Sequence, residues 1–171
     1  MKKNNSYIKS YMIAIFSVIV LSGFDQYTKK IAQLQLKNQN PFIIIKNIFQ
    51  LHYLENRGAA FGILQNQKIF FVISAVLIIL VIGFLYHKMP LSARYIPLRI
   101  CSVLICSGAI GNMIDRVRLN YVVDFFYFEL IDFPIFNVAD IYVVVACILF
   151  AALILFYYKE EDLSCFSFKR L

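Results

Sequence analysis

The chain has 171 residues, 61% of them hydrophobic, and its 17 Lys and Arg against 10 Asp and Glu give a net charge of +7. Soluble globular proteins carry about 45–50% apolar residues, so this composition and a mean hydropathy of +0.71 exclude a soluble domain and indicate one integral membrane domain. The positive charge does not point to nucleic acid, because the basic residues are scattered at the ends of apolar runs, where flanks of membrane helices carry them.

Residues 1–10 carry Lys2, Lys3 and Lys9, and residues 11–24 are apolar apart from Ser17, Ser22 and Gly23. A basic start before a short apolar run also describes a secretory signal peptide, but no A-x-A site follows. An uncleaved first membrane helix over about residues 8–31 is therefore expected, ending in a polar turn. Residues 38–41, closing on Pro41, break it, and residues 42–54 (FIIIKNIFQLHYL) predict one or two short strands. Residues 55–62 (ENRGAAFG) predict a loop whose small residues let the backbone approach another chain closely. Residues 69–86 are an uncharged run long enough to span a bilayer, giving a second helix over about 68–87. A loop with Lys88, Pro90, Arg94 and Pro97 leads to a third helix over about 96–116. Its Ser107, Gly108, Ala109 and Gly111 suit tight packing in lipid. Residues 121–136 alternate aromatic and polar types around Pro134 and read as a hairpin-like insert. A fourth helix is expected over about 138–158.

The expected fold is thus a mainly α membrane protein with four transmembrane helices and inserts over about 32–67 and 117–137. Four crossings leave both termini on one side. The basic N-terminus and the acid-free loop with Lys88, Arg94 and Arg99 assign that side to the cytoplasm and the inserts to the opposite face. Cys101, Cys106, Cys147 and Cys165 form no CxxC pair and read as buried small hydrophobes. His52 and His87 stand apart from each other and from cysteine, so no zinc spacing is present and neither metal nor cofactor is expected.

The stretch over residues 107–140 concentrates Asp115, Asp124, Asp132, Asp140, Glu129, Arg116 and Arg118 between two membrane-length runs. Ionisable groups at membrane depth cost about 2.5–3.5 kcal/mol each on insertion scales and are kept mainly for function. Asn112, Asp115 and Arg116 share a helix face, either as a polar helix end or as a brace for a site. Asp124 lies in an apolar neighbourhood, either as a loop acid or as part of that site. Asn137 and Asp140 have the spacing of a helix cap with an acid in the first turn. A helix from Val138 would rise about 31 Å by residue 158, matching a bilayer core of about 30 Å. That puts Asp140 in the first turn, at a level to which Asp124 can fold back. Two carboxylates brought together in a poorly solvated place cannot both ionise easily, so one keeps a proton. The ionised partner can then deprotonate a water while the protonated one donates to an amide carbonyl oxygen, which is aspartic-protease chemistry without a metal. A proton-coupled transporter would use buried acids too, but the central runs of helices two and four hold none. An assembly subunit without chemistry would leave the polar stretch unexplained.

The motifs DQYTK (25–29), NRGAAF (56–61), GNMIDR with VVDF (111–125) and FNVAD (136–140) occur in this order over most of the chain. In these the chain resembles the bacterial lipoprotein signal peptidases, also called signal peptidase II. The resemblance implies four transmembrane helices with a small extracytoplasmic β-sheet, in the bacterial cytoplasmic (inner) membrane. It implies cleavage of prolipoproteins just before a diacylglyceryl-modified cysteine, inhibition by globomycin, and Asp124 and Asp140 as the catalytic dyad. Asn112, Arg116 and Asn137 match positions that support the dyad or contact substrate, and Asp25, Lys29, Asn56 and Gly58 match further functional positions. Asp115 and Ala139 lie within the same motifs and count with them as site support. Two residues depart from the family pattern. Asn120 stands where glycine is usual, in a turn expected to need φ > 0 that Asn can adopt. Ile141 stands where serine is frequent, which puts a side-chain hydrogen bond near the dyad in doubt.

Overall fold

The computed structural model describes residues 2–58 and 64–167, so Ala59, Ala60 and Phe61 of the second motif lie outside the described residues. Four long helices form the body: α1 (Lys2–Leu36), α2 (Lys68–Lys88), α3 (Ile96–Leu119) and α4 (Val138–Phe156). Each contains a stretch long and apolar enough to cross a membrane. Their outward faces carry bare side chains such as Met12, Phe16, Leu80, Ile148 and Leu155. In water that exposure would be unfavourable, whereas facing lipid tails costs nothing. The chain is therefore a multi-pass membrane protein.

Helix α3 packs against α1, α2 and α4 and is the centre of the bundle. Small residues make that possible. Ser107, Gly108 and Gly111 are buried, and a Cβ on Gly108 would stand 2.5 Å from the Ala139 carbonyl oxygen of α4. The loops between helices supply β1 (Phe42–Ile45), β2 (Phe49–Asn56) and β3 (Val122–Phe128), an antiparallel sheet in the order β1-β2-β3. The β2–β3 register pairs Leu54 with Asp124 and Asn56 with Val122, which sets Asn56 beside Asp124.

Several boundaries differ from expectation for identifiable reasons. Helix α1 runs past its expected end at about residue 31 and continues to Leu36. Asp25 and Lys29 are an i,i+4 ion pair turned inward, so polarity there marks the interior of the bundle. Of the one or two short strands expected over 42–54, two form, as β1 and β2. The expected hairpin over 121–136 is one strand, β3, a single 3-10 turn at Glu129–Ile131, and a return that bridges only Phe126 with Phe136. Pro134 in the return has no N–H to donate to a longer ladder. Helix α4 stops at Phe156, and the tail adds a one-turn helix α5 (Glu160–Leu163), tied back by Arg94 on Asp162 at 2.6 Å. Of the four free cysteines only Cys101 is fully buried, and Cys147 is exposed on the lipid-facing side of α4.

Asn120 terminates α3 with φ 68°, ψ 10°, in the left-handed region, as its place in the motif required. Its side-chain oxygen also accepts from Lys68 Nζ at 2.7 Å. Asn120→Gly should leave the melting temperature in detergent nearly unchanged. Asn120→Val should cost about 1–2 kcal/mol, because a left-handed backbone crowds the Cβ. Equal melting of the Val variant and the parent would contradict this.

Candidate active site

The site begins with a charge problem inside the bundle. Asp25 of α1 is 0% exposed and Asp115 of α3 is 3% exposed. Unpaired, buried carboxylates would be strongly unfavourable. Lys29 lies between them, its Nζ 2.9 Å from Asp25 Oδ2 and 3.1 Å from Asp115 Oδ2. The remaining carboxylate oxygens are also used. Asp25 Oδ1 accepts the Ala139 backbone N–H at 2.9 Å, which fixes the start of α4. Asp115 Oδ1 accepts Gln26 Nε2 at 2.8 Å, and its Oδ2 accepts the Val123 N–H at 3.1 Å, which fixes β3. The triad thus ties α1 and α3 to both segments that carry the acids at the cavity.

A Cβ on Gly111 would collide with Asp25 Oδ2, so the glycine is what admits the carboxylate between the helices. Ala139, fully buried, packs against the same pair of glycines.

Lys29 also donates to Asn112 Oδ1 at 2.8 Å, and Asn112 Nδ2 donates to Asp140 Oδ1 at 2.8 Å. Asn137 stands between the two acids. Its Nδ2 donates to Asp124 Oδ1 at 2.6 Å and to Asn112 Oδ1 at 3.1 Å. Its backbone N–H donates to Asp140 Oδ2 at 3.1 Å, while its side-chain oxygen accepts the Asp140 N–H at 3.1 Å. The helix-cap reading of this pair is therefore correct as local structure, since Asn137 and Asp140 form a complete capping box. The cap does not exclude a second role, because the same box places the Asp140 carboxylate at the cavity wall. Asn56 Nδ2 donates to Asp124 Oδ2 at 2.8 Å, and the Gly58 N–H donates to Asn56 Oδ1 at 2.9 Å. Arg116 Nη2 donates to the Gly58 carbonyl at 3.1 Å, and its guanidinium lies 4.4 Å from the Phe71 ring centroid.

Asp124 is 1% exposed, whereas Asp140 is half-buried. Burial, reinforced by the nearby Asp140 charge, pushes the Asp124 carboxyl up to about 7, and the hydrogen bonds from Asn56 and Asn137 offset only part of this. The two acids, with Asn56, Gly58, Asn112 and Arg116, form the polar end of a cavity of about 660 Å³. The rest of its wall is apolar, including Phe71, Phe128, Ile131, Phe136 and Val144. Ile141 adds to this apolar wall. Both oxygens of Asp140 accept a hydrogen bond, from Asn112 and from the Asn137 backbone, without help from the side chain at position 141.

All the candidate residues named from the sequence thus meet in one network. Asp124, Asp140, Asn56, Gly58, Asn112 and Arg116 reach the cavity, while Asp25, Lys29, Asp115, Asn137 and Ala139 support them from behind. Gln26 and Phe71 were not anticipated. Gln26 follows Asp25 directly and its polarity inside a membrane helix was a usable signal, whereas Phe71 is one of many aromatic residues in an apolar run.

Four membrane-length helices with a buried polar site also describe solved structures that carry the words bacterial membrane enzyme. Two solved structures described in those words align with TM-scores of 0.70, at 30% and 32% identity over 95% and 88% of this chain and 94% of each of theirs. The model of the family described as signal peptidase (SPase) II matches residues 16–156. A lipoprotein signal peptidase of Clostridioides difficile is 43% identical over 88% of this chain and 99% of its own. Another, from Streptococcus thermophilus, is 45% identical over 85% of this chain and 92% of its own. The chain belongs to the signal peptidase II family, and so to a family of proteases.

Gly108→Ala should destabilise the protein by about 1–3 kcal/mol, because the new methyl meets backbone rather than a movable side chain. Thermal unfolding in detergent reads this directly. A Gly108→Ala protein as stable as the parent would show that α3 and α4 can separate without loss.

Proposed function

We propose that the protein is an aspartic endopeptidase that removes signal peptides from diacylglyceryl-modified prolipoproteins, cutting on the N-terminal side of the lipidated cysteine. The observation that carries this reading is the pair Asp124 and Asp140, linked through Asn137 at the polar end of an otherwise apolar cavity. The pair shares one proton, held mostly on the more deeply buried Asp124. Asp140, charged, takes a proton from a water as its oxygen attacks the scissile carbonyl carbon. Asp124 donates its proton to the carbonyl oxygen, giving a tetrahedral diol. Collapse of the diol breaks the C–N bond, Asp140 passes its proton to the leaving amine, and the diol hydroxyl returns a proton to Asp124. Arg116 and Asn56 line the approach and are suited to hold the peptide carbonyls. The apolar wall is suited to the acyl chains of the substrate, and globomycin would compete for the same space.

The lipid anchor supplies position and effective concentration at the bilayer surface. We place the protein in the cytoplasmic membrane with both termini in the cytoplasm and the sheet and site near the opposite face. The basic N-terminus and the acid-free Lys88–Arg99 loop support this orientation.

Asp124→Asn and Asp140→Asn should each fold yet lose at least about 100-fold in cleavage, the low end of general acid–base contributions. As a dipole partner alone Asp140 is worth about 0.3–1 kcal/mol, so a pure cap would leave turnover near normal. In the parent, kcat/KM should fall as pH rises past about 7, where the shared proton is lost. A folded Asp140→Asn protein with near-parental turnover would end this mechanism. Lipidated substrate should be cleaved far faster than its unmodified counterpart, and globomycin should block the reaction; equal turnover of the two substrates would refute the lipid requirement. For the topology, a protease added to intact cells should spare a tag on the C-terminus, and its removal would invert the orientation.

A further inference from the structure

The dyad is held by amides, and an amide has two faces of opposite polarity. Turned by 180°, Asn56, Asn112 or Asn137 would present an oxygen to a carboxylate in place of an N–H. Something must forbid the turn at each. A donor-only group does so, because it accepts nothing and must face the amide oxygen. Asn56 Oδ1 is held by the Gly58 N–H, and Asn137 Oδ1 by the Asp140 N–H. Both of these are backbone groups. Asn112 Oδ1 is held by the ammonium of Lys29 and also takes a hydrogen bond from Asn137 Nδ2. An ammonium has three N–H groups, and Lys29 has three acceptors for them: Asp25, Asp115 and Asn112.

We infer that Lys29 is a positioning residue for the reaction, acting through Asn112: its ammonium holds the Asn112 amide with the nitrogen toward Asp140, which fixes the Asp140 carboxyl group at the cavity wall. This rests on the dyad reading given above. Lys29 itself does not line the cavity, being 3% exposed behind it. The charged and titratable groups that face the pair are Arg116 and Asp115 from α3, Lys29 and Asp25 from α1, and the two acids themselves, from β3 and α4. Without Lys29, the Asn112 oxygen keeps only the longer hydrogen bond from Asn137, and the amide is held toward Asp140 less firmly. Asp140 then depends on the Asn137 backbone N–H alone to fix its carboxyl group.

The test must separate this role from the structural one, since Lys29 also neutralises buried acids. Asp25→Asn/Lys29→Gln does so. It replaces an opposite-charge pair by two neutral residues, so the net charge of the triad is unchanged. Residue 25 keeps an acceptor oxygen for the Ala139 N–H. Gln is both donor and acceptor, so it no longer dictates which way Asn112 faces. The purified full-length protein would be assayed with lipidated prolipoprotein across pH, with thermal unfolding measured on the same preparations. The expected result is a folded protein whose kcat falls by about tenfold or more with KM little changed. A cycle with Asn112→Ala completes the test. If Lys29 acts through Asn112, the 25/29 pair of substitutions should have little further effect on kcat once Asn112 is gone. Losses that multiply independently, or a raised KM at unchanged kcat, would each overturn the positioning role. Asp124→Asn and Asp140→Asn run in the same assay keep the two readings distinct. Their retaining activity would refute the dyad, whereas their inactivity beside an additive cycle would refute the role of Lys29 alone.

Discussion

Everything at the site depends on the ion triad of Asp25, Lys29 and Asp115. Three charges stand inside a helical bundle at exposures of 3% or less, where each alone would be costly. They are tolerable because the ammonium and both carboxylates spend their hydrogen-bonding capacity on partners within the core, and among the described residues no buried side-chain nitrogen or oxygen lacks one. The same bonds orient the segments that bear the acids: Asp25 holds the first turn of α4, and Asp115 holds the second residue of β3. Removing one member of such a buried set typically costs about 3–5 kcal/mol, so the triad is also where the fold is most vulnerable to a single change.

Around the two cavity acids the protein uses neutral donors instead of cations. Each oxygen of Asp124 and Asp140 receives one N–H, from Asn56, Asn137, Asn112 or the Asn137 backbone. A lysine in direct contact would ionise both acids and discharge the pair. Amides hold the geometry while leaving burial and mutual repulsion free to retain a proton. The positive charge is set one residue further back, at Lys29, with Asn112 between. Arg116 is close enough to be felt, yet it gives two of its five N–H groups to backbone carbonyls and its face to Phe71.

Much of this was legible in the sequence, and the exceptions have physical causes. The uncharged runs of α2 and α4 mark those helices because a bilayer admits little else at that length. Asn120 was readable as a left-handed turn because few residues tolerate that backbone. The end of α1 lies at Leu36 rather than at about residue 31, since the polar residues that follow Ile31 do not by themselves stop a helix. The pairing of β2 with β3, and with it the reach of Asn56 to Asp124, joins residues 68 positions apart that no local pattern connects. Asn137 and Asp140 could be read as a cap or as a site, and the structure satisfies the cap with the same atoms that present Asp140 to the cavity. Choosing between one acid and a pair required knowing that Asp124 folds back beside them.

The central claim is that Asp124 and Asp140 share a single proton under working conditions. Carboxylic acid and carboxylate differ in their carbonyl stretching bands, so infrared difference spectroscopy of the protein titrated in lipid reads the proton directly. The account predicts one protonated carboxyl that is lost as pH rises past about 7 and is missing from Asp124→Asn. Finding both carboxyls already ionised well below that pH would contradict it.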